Sequence, residues 1–269
     1  MCKTLSSMRM ICDVPTDAPL ADDQSGLHGR LVESLGLSIC GGELAPATVL
    51  FIDDLMTTHS VSRSVVREAL RVLSSMGLVA SRRRVGTLVL ERSAWNVYDP
   101  LVIRWRLATG GRLVQLRSIT ELRTAVEPQA ARLAAERAKP LEASELVTLA
   151  GQLWAAGQDG RMDDFLRLDV QFHKRVLAAS GNEMFEHLHK QVAEVLAGRH
   201  AYGLMPHHPH VDALQLHSDV AASIQRGDGD RAHAAMVAIM DRTMGETRQL
   251  WEQQGNEADD TVEAAAVES

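Results

Sequence analysis

The sequence predicts a mainly α-helical protein of two domains: a small N-terminal domain with helices and two short strands, and a larger domain of helices only. The chain has 269 residues, more than the roughly 100–200 residues of an ordinary single domain. Aromatic residues make up only 4% of it, a composition that favours helices packed on helices. Strand-like runs occur before residue 92, and helical periodicity follows.

Four segments follow from these patterns. Residues 1–25 are mixed and polar, and we expect a flexible arm. Residues 26–92 should form the N-terminal domain, and residues 93–252 the helical domain. Residues 253–269 are acidic and rich in alanine, which predicts a disordered tail.

Charge is unevenly distributed along the chain. The formal net charge is −7, yet residues 28–92 hold eight arginines and six acidic residues, a local charge of +2. A basic N-terminal part is compatible with DNA binding, because the distribution of charge matters more than its sum. Three cysteines without metal-ligand spacing, and the lack of a long apolar run or signal-peptide core, predict a cytoplasmic protein without membrane contact.

The N-terminal domain divides into short elements. We expect helices over residues 27–38, 52–58 and 62–76, because apolar residues recur there at helical spacing. Two short strands are expected over residues 78–81 and 87–90, joined by a basic turn.

The third of these helices has two distinct faces. Its buried face comprises Val66, Ala69, Leu70 and Leu73. Arg63, Ser64 and Arg67 lie on another side, and Ser62 can cap the helix. A basic, hydroxyl-bearing face on an anchored helix suits the DNA major groove. The alternative, a solvated charged surface, is less favoured because the basic hairpin of Arg82, Arg83 and Arg84 follows.

Three segments of this domain resemble the GntR superfamily of winged helix-turn-helix regulators: residues 61–70 (VSRSVVREAL), 77–79 (GLV) and 86–89 (GTLV). The resemblance implies that Ser62, Arg63, Ser64 and Arg67 contact operator DNA, and that Gly86 and the arginines before it enter the minor groove as the wing. One position departs from the family pattern. The family has an arginine near a DNA phosphate at the position of Asp53. The negative charge of Asp53 would repel that phosphate.

The helical domain contains ionisable residues at positions predicted to face inward. Asp169 and His173 are four residues apart and project from the same side of a helix. His217 lies in line with the apolar residues of a later helix. One carboxylate and two neutral imidazoles suit Zn²⁺ or a similar divalent ion. The alternative is that each is a hydrogen-bonded core residue.

Residues 121–138, 169–173, 180–182 and 217 resemble the FCD effector domain of the FadR-like branch, and the connector with Trp95 and Asn96 resembles sugar-acid repressors of the galactonate-operon type. The resemblance implies four metal ligands. Three match Asp169, His173 and His217, whereas the fourth position falls on Ile239. The open positions could take effector oxygens, or the same residues could bind the effector without a metal.

Effector contacts follow from the same resemblance. Arg123 is the candidate partner of an effector carboxylate, because a guanidinium forks onto it; the alternative is a surface salt bridge with Glu127. Asn182 joins Asp169, His173 and His217 in the implied effector site. A separate cluster, His207, His208 and His210, is interpreted as an exposed loop rather than a metal site.

The leading hypothesis is a homodimeric repressor that a small organic acid, such as a sugar acid, releases from double-stranded operator DNA by a population shift. One alternative is a metal-dependent hydrolase that uses Asp169, His173 and His217. A second alternative is a nucleoid-type DNA-binding protein without an effector.

Overall fold

The computed structural model describes residues 26–204 and 209–267, and it confirms the mainly α-helical fold class. The N-terminal arm, His207 and His208 lie outside the described residues. Three helices form the body of the N-terminal domain: α1 (Leu27–Gly41), α2 (Ile52–His59) and α3 (Arg63–Ser75). All three lie where the sequence predicts them.

A small antiparallel sheet completes the N-terminal domain. Its strands are β1 (Val49–Leu50), β2 (Val79–Arg82) and β3 (Gly86–Val89), arranged in the order β1-β3-β2. The hairpin β2–β3 agrees with the prediction to within one residue. Strand β1 was not predicted, because two residues are too few to show the alternation that marks a strand.

The second domain consists of helices. They are α4 (Pro100–Ala108), α5 (Arg112–Arg137), α6 (Pro140–Gln158), α7 (Met162–Ala179), α8 (Glu183–His187), α9 (His189–Ala201), α10 (Val211–Arg226) and α11 (Gly229–Val267). The breaks between them fall at the expected glycine and proline positions. The break between α8 and α9 at Leu188 was not predicted, since no glycine or proline marks it.

The disordered tail stays a prediction. Helix α11 continues to Val267 and so enters the segment 253–269. That segment contains alanines and glutamates, which are good helix formers, beside aspartates, Thr261 and Val262, which are weaker ones.

Helix α4 lies between the two domains and packs against both. On one side, the Trp105 ring packs so closely on α1 that a Cβ added at Gly36 would lie 2.5 Å from it. On the other side, Arg104 forms two hydrogen bonds of 2.6 and 2.8 Å with Glu194 of α9. Leu107 packs against Gly198 of the same helix. The position of α9 is thus mechanically tied to that of α1.

None of the helices in the described ranges combines the length and apolar character needed to span a bilayer.

Candidate functional site

The first candidate surface lies on α3 of the N-terminal domain. The hydroxyl of Ser62 caps this helix by accepting a hydrogen bond from the Val65 amide. The predicted apolar face is buried, which holds Arg63, Ser64 and Arg67 on the exposed side. The sequence-predicted contact residues of this helix therefore share one solvent-facing surface.

The basic hairpin forms a second exposed surface of this domain. Arg82 pairs with Gly86 across β2 and β3, and Arg83 and Arg84 occupy the turn between them. The φ angles of Arg84 and Gly86 are both positive, 64° and 123°. The φ of 123° at Gly86 is a conformation that glycine adopts readily, because it has no Cβ. All three arginines are exposed, as a wing that meets phosphates requires.

Asp53 has a partner in the structure. It lies in the first turn of α2 and forms an ion pair with Arg63 at the start of α3. Both side chains are largely exposed, 76% and 57%, so DNA could still reach the guanidinium. A carboxylate at this position therefore acts on Arg63 directly.

The inward-facing residues of the helical domain meet at one point. The nearest ligand atoms of Asp169, His173 and His217 all lie within 4.8 Å of one another. Asp169 Oδ1 is 3.1 Å from Nε2 of His217 and 3.4 Å from Nε2 of His173. The three side chains are buried, so the sequence-predicted cluster exists as a geometric unit.

Each histidine uses its other ring nitrogen to fix its orientation. His217 Nδ1 lies 2.7 Å from the Ala213 carbonyl, to which it donates. His173 Nδ1 donates to the carboxylate of Glu127. Both Nε2 atoms are consequently turned towards Asp169, which is the arrangement that metal-binding histidines ordinarily show.

Glu127 extends the cluster to Arg123. Its Oε1 accepts a 2.6 Å hydrogen bond from Arg123 Nε, and both side chains are 2% exposed. The salt bridge that the sequence suggested as a surface feature is therefore buried. Arg123 Nη1 is buried without a hydrogen-bond partner, which leaves it available to a ligand.

Charges within the cluster stabilise one another. Burial alone would raise the pKa of Glu127, but the Arg123 guanidinium and His173 outweigh it and lower that pKa to about 2. Burial likewise opposes ionisation of Asp169, yet hydrogen bonds from His173 and His217 hold its pKa well below the usual range. The two carboxylates raise the pKa of His173 to about 9 against the effect of burial.

The cluster forms one wall of a cavity of about 60 Å³, enough for several water molecules. Its lining includes Arg123, Asp169, His173, His217, Arg199, His210, Ile239, Arg242, Thr243 and Glu246. Ile239 therefore occupies the wall where the resemblance expects a fourth ligand. Among the three histidines interpreted as a loop, His210 is exposed, contributes to this lining and stands immediately before α10, without a capping hydrogen bond from its side chain.

Asn182 does not belong to this site, which corrects the sequence-based expectation. It is absent from the cavity lining. Its side-chain oxygen accepts a hydrogen bond from the Met184 amide and caps α8. An asparagine after a Ser-Gly turn is well suited to this capping role.

Two cavity residues, Arg199 and Glu246, were missed in the sequence, and so was the contact of Glu127 with His173. Arg199 and Glu246 form an ion pair across 47 positions, and no local spacing could reveal it. The pairing of Glu127 with Arg123 follows from their i, i+4 spacing, but its contact with His173 joins two helices across 46 positions.

The donor set fits a divalent metal ion. Two ligands at the usual Zn–N and Zn–O distances of a tetrahedral site lie roughly 3.3 Å apart, close to the separations from Asp169 Oδ1. His217 donates its Nδ1 proton in a hydrogen bond to the Ala213 carbonyl, so its Nε2 atom faces the Asp169 carboxylate. A nitrogen and a carboxylate oxygen at this distance need a proton or a cation between them, and a metal ion can take the place of the proton.

Comparison with known proteins now decides the family. A family model described as "Bacterial regulatory proteins, gntR family" matches residues 27–89, and the FCD domain model matches residues 118–242. The chain belongs to the GntR family. This regulator combines the DNA-binding domain of that family with an FCD domain.

Curated relatives and a solved structure agree with this assignment. The regulator is 28% identical to the HTH-type transcriptional regulator YieP of Escherichia coli, over 84% of this chain and 98% of that protein. It is also 28% identical to the galactonate operon transcriptional repressor of E. coli, over 78% and 92%. It shares its fold with Lar, described as controlling the Listeria monocytogenes agr system, with a TM-score of 0.52 and 16% identity over 85% and 100% of the two chains.

The assignment separates the hypotheses drawn from the sequence. The GntR-family chain is a DNA-binding transcriptional regulator and not an enzyme. The alternative of a metal-dependent hydrolase receives no support from these relatives.

Asp53 should restrain DNA binding. In Asp53→Asn, Arg63 loses its carboxylate partner, and we expect roughly three- to tenfold tighter binding at low salt, with a salt slope steeper by about one counterion. Fluorescence anisotropy with a fragment from upstream of the gene, across a salt series, measures both. Asp54→Asn is the charge-matched control, because Asp54 is exposed and lies next to Asp53; equal effects of the two variants would refute a role for the ion pair.

Glu127 should be essential to the stability of the helical domain. Glu127→Gln leaves Arg123 buried without a carboxylate, and we expect a loss of about 3 kcal/mol in the free energy of unfolding. Urea denaturation of metal-free protein at matched concentration measures it. The control is Glu121→Gln, whose ion pair with Arg117 is exposed and should matter by less than about 0.5 kcal/mol; similar losses in both variants would contradict the assignment.

Proposed function

We propose that the regulator is a homodimeric repressor, and that a small organic acid in the FCD cavity releases it from operator DNA. The observation that carries this proposal is the Arg123 guanidinium, which is buried at the cavity wall with Nη1 unpartnered. A buried donor without a partner is costly, and an anionic ligand would remove that cost. The galactonate operon repressor among the relatives supports a sugar acid as the ligand.

On the DNA side, the exposed face of α3 would lie in the major groove. Arg63 and Arg67 would read guanine edges or hold phosphates, and the hydroxyls of Ser62 and Ser64 would hold phosphates. The wing arginines would follow the minor groove beside Gly86. A dimer is needed because one such helix reads too few base pairs for specific binding.

On the effector side, Arg123 would fork onto the carboxylate. Asp169, His173 and His217 would hold a divalent ion, with Zn²⁺ the best match to two imidazoles and a carboxylate. Such an ion supplies open coordination positions for the hydroxyl and carboxylate oxygens of a sugar acid. Ile239 keeps one position free of a protein ligand.

Helix α9 offers a route from the cavity to the DNA-binding domain. It contributes Arg199 to the cavity lining and carries Glu194, which is held by Arg104 of α4. Since α4 packs on α1 through Trp105, movement of α9 would shift the DNA-binding domain. Ligand binding would then favour an arrangement in which the two recognition helices no longer match their half-sites.

The effector response should depend on the shape of Arg123. Arg123→Lys keeps the charge but loses the planar fork, so we expect the sugar-acid concentration for half-release of DNA to rise at least about tenfold. Release of the upstream DNA by D-galactonate and related acids, followed by anisotropy, measures it. Arg117→Lys on the same helix is the control. No release of wild-type protein by any sugar acid would contradict the proposed effector class.

Metal binding should respond to changes at two positions in opposite directions. His217→Asn removes a ligand, and Ile239→His supplies the fourth one, so we expect the Zn²⁺ affinity to fall and rise, respectively, by at least about tenfold. Isothermal titration of metal-free protein measures both, with His187→Asn as a control because His187 is exposed. Unchanged affinity in His217→Asn would rule out this metal centre.

A further inference from the structure

Arg199 is a second buried arginine in the cavity wall, and the proposed function gives it no contact with the effector. It projects from α9 and is 4% exposed. Its Nη2 donates to Oε2 of Glu246 on α11. A buried cation ordinarily needs full compensation, so the nature of this partner determines what Arg199 can do.

Glu246 compensates Arg199 only in part. It is 28% exposed, and its other oxygen lies 3.3 Å from Arg242 Nε. One partly solvated carboxylate therefore serves two guanidinium groups. Burial lowers the pKa of Arg199, and the nearby Arg123 charge adds to that effect against the attraction of Glu246.

The charges of the cavity favour a second anion. Arg123, Arg199 and Arg242 face it, and among the described lining residues only Asp169 and Glu246 carry carboxylates. Arg123 is already paired with Glu127, which lies outside the cavity lining. Asp169 is already in contact with the two histidines, His173 and His217. The positive charge left over lies at the Arg199 and Arg242 end.

We propose that Arg199 forms a second carboxylate subsite, so that the effector is a dicarboxylic acid held at one end by Arg123 and at the other by Arg199. Glu246 occupies this subsite in the free protein, and the distal carboxylate of the ligand displaces it. The inference rests on the proposed effector site. It adds that a six-carbon sugar acid with two carboxylates binds better than one with a single carboxylate.

Displacement of Glu246 would also connect the ligand with the regulation of DNA binding. The Arg199–Glu246 pair joins α9 to α11, and α9 is joined to α4 through Glu194. A ligand carboxylate on Arg199 releases the first connection and leaves the second in place. Helix α9 can then shift together with α4.

Two six-carbon acids that differ at one end test the proposal. D-Galactonate ends in a hydroxymethyl group, and galactarate carries a second carboxylate in its place. We expect wild-type protein to bind galactarate at least about tenfold more tightly in isothermal titration, the factor that one additional charged hydrogen-bonded contact provides. In Arg199→Gln and Arg199→Lys this preference should fall to less than about threefold, while galactonate affinity persists.

Glu246→Gln provides an independent arm that keeps Arg199 intact. Because the competing carboxylate is removed, galactarate should bind several-fold more tightly than to wild-type protein. Arg132→Gln is the matched control: Arg132 pairs with Asp230 of α11 outside the cavity lining, and the preference should be unchanged there.

The outcomes separate this inference from the proposed function. Equal wild-type affinities for the two acids would overturn the second subsite and leave the effector site standing. Equal loss of both acids in the Arg199 variants, with no gain in Glu246→Gln, would reduce the ion pair to a structural connection and overturn the subsite as well. Binding of neither acid to wild-type protein would overturn the proposed sugar-acid effector, and the subsite with it.

Discussion

The buried hydrogen-bonded chain from Arg123 through Glu127 to His173 is the constraint on which the helical domain depends. Three ionisable side chains inside a helical bundle would each cost several kcal/mol if left alone. They are tolerated because each supplies what the next one lacks: Arg123 and His173 donate, and Glu127 accepts from both. The same bonds fix the ring of His173 and the guanidinium of Arg123, so that the site is formed before any ligand arrives. Removing the side chain of one member therefore leaves the charge of its neighbour buried without a partner, which costs more than the cavity that is formed.

This constraint reaches the DNA-binding domain through packing that tolerates little change. Helix α7 carries Asp169 and His173, and α9 packs on it and on α4. Between α4 and α1, Gly36 meets Trp105 with no room for a side chain. Such interfaces have discrete arrangements rather than continuous ones. Under the proposed function, a ligand that prefers one arrangement of α9 would change the population of DNA-binding geometries, and by linkage DNA would change the affinity for the ligand.

Periodicity and spacing predicted most of the fold and part of the site. The two-faced α3 follows from apolar residues at helical spacing, and Asp169 and His173 follow from an i, i+4 separation. His217 was found because it interrupts an apolar stripe. Spacing could not reveal that Arg199 meets Glu246, since tertiary packing alone brings α9 to α11. Nor could it show that Asp53 pairs with Arg63, because the turn between α2 and α3 sets that distance. Asn182 was assigned to the effector site from resemblance alone. In the structure its side chain caps α8 instead.

The orientation of the two imidazoles tests most directly whether hydrogen bonds form the cluster of Asp169, His173 and His217 before a metal ion or ligand binds. If the Glu127 carboxylate and the Ala213 carbonyl fix both rings, the Nδ1 atoms of His173 and His217 should carry protons in metal-free and zinc-loaded protein alike. Long-range ¹H–¹⁵N spectra of histidine-labelled protein report the state of each ring nitrogen. The account predicts that the two Nε2 resonances shift strongly when Zn²⁺ is added, while both Nδ1 atoms keep their directly bonded protons. Loss of the proton at either Nδ1, or no shift at either ring, would contradict it.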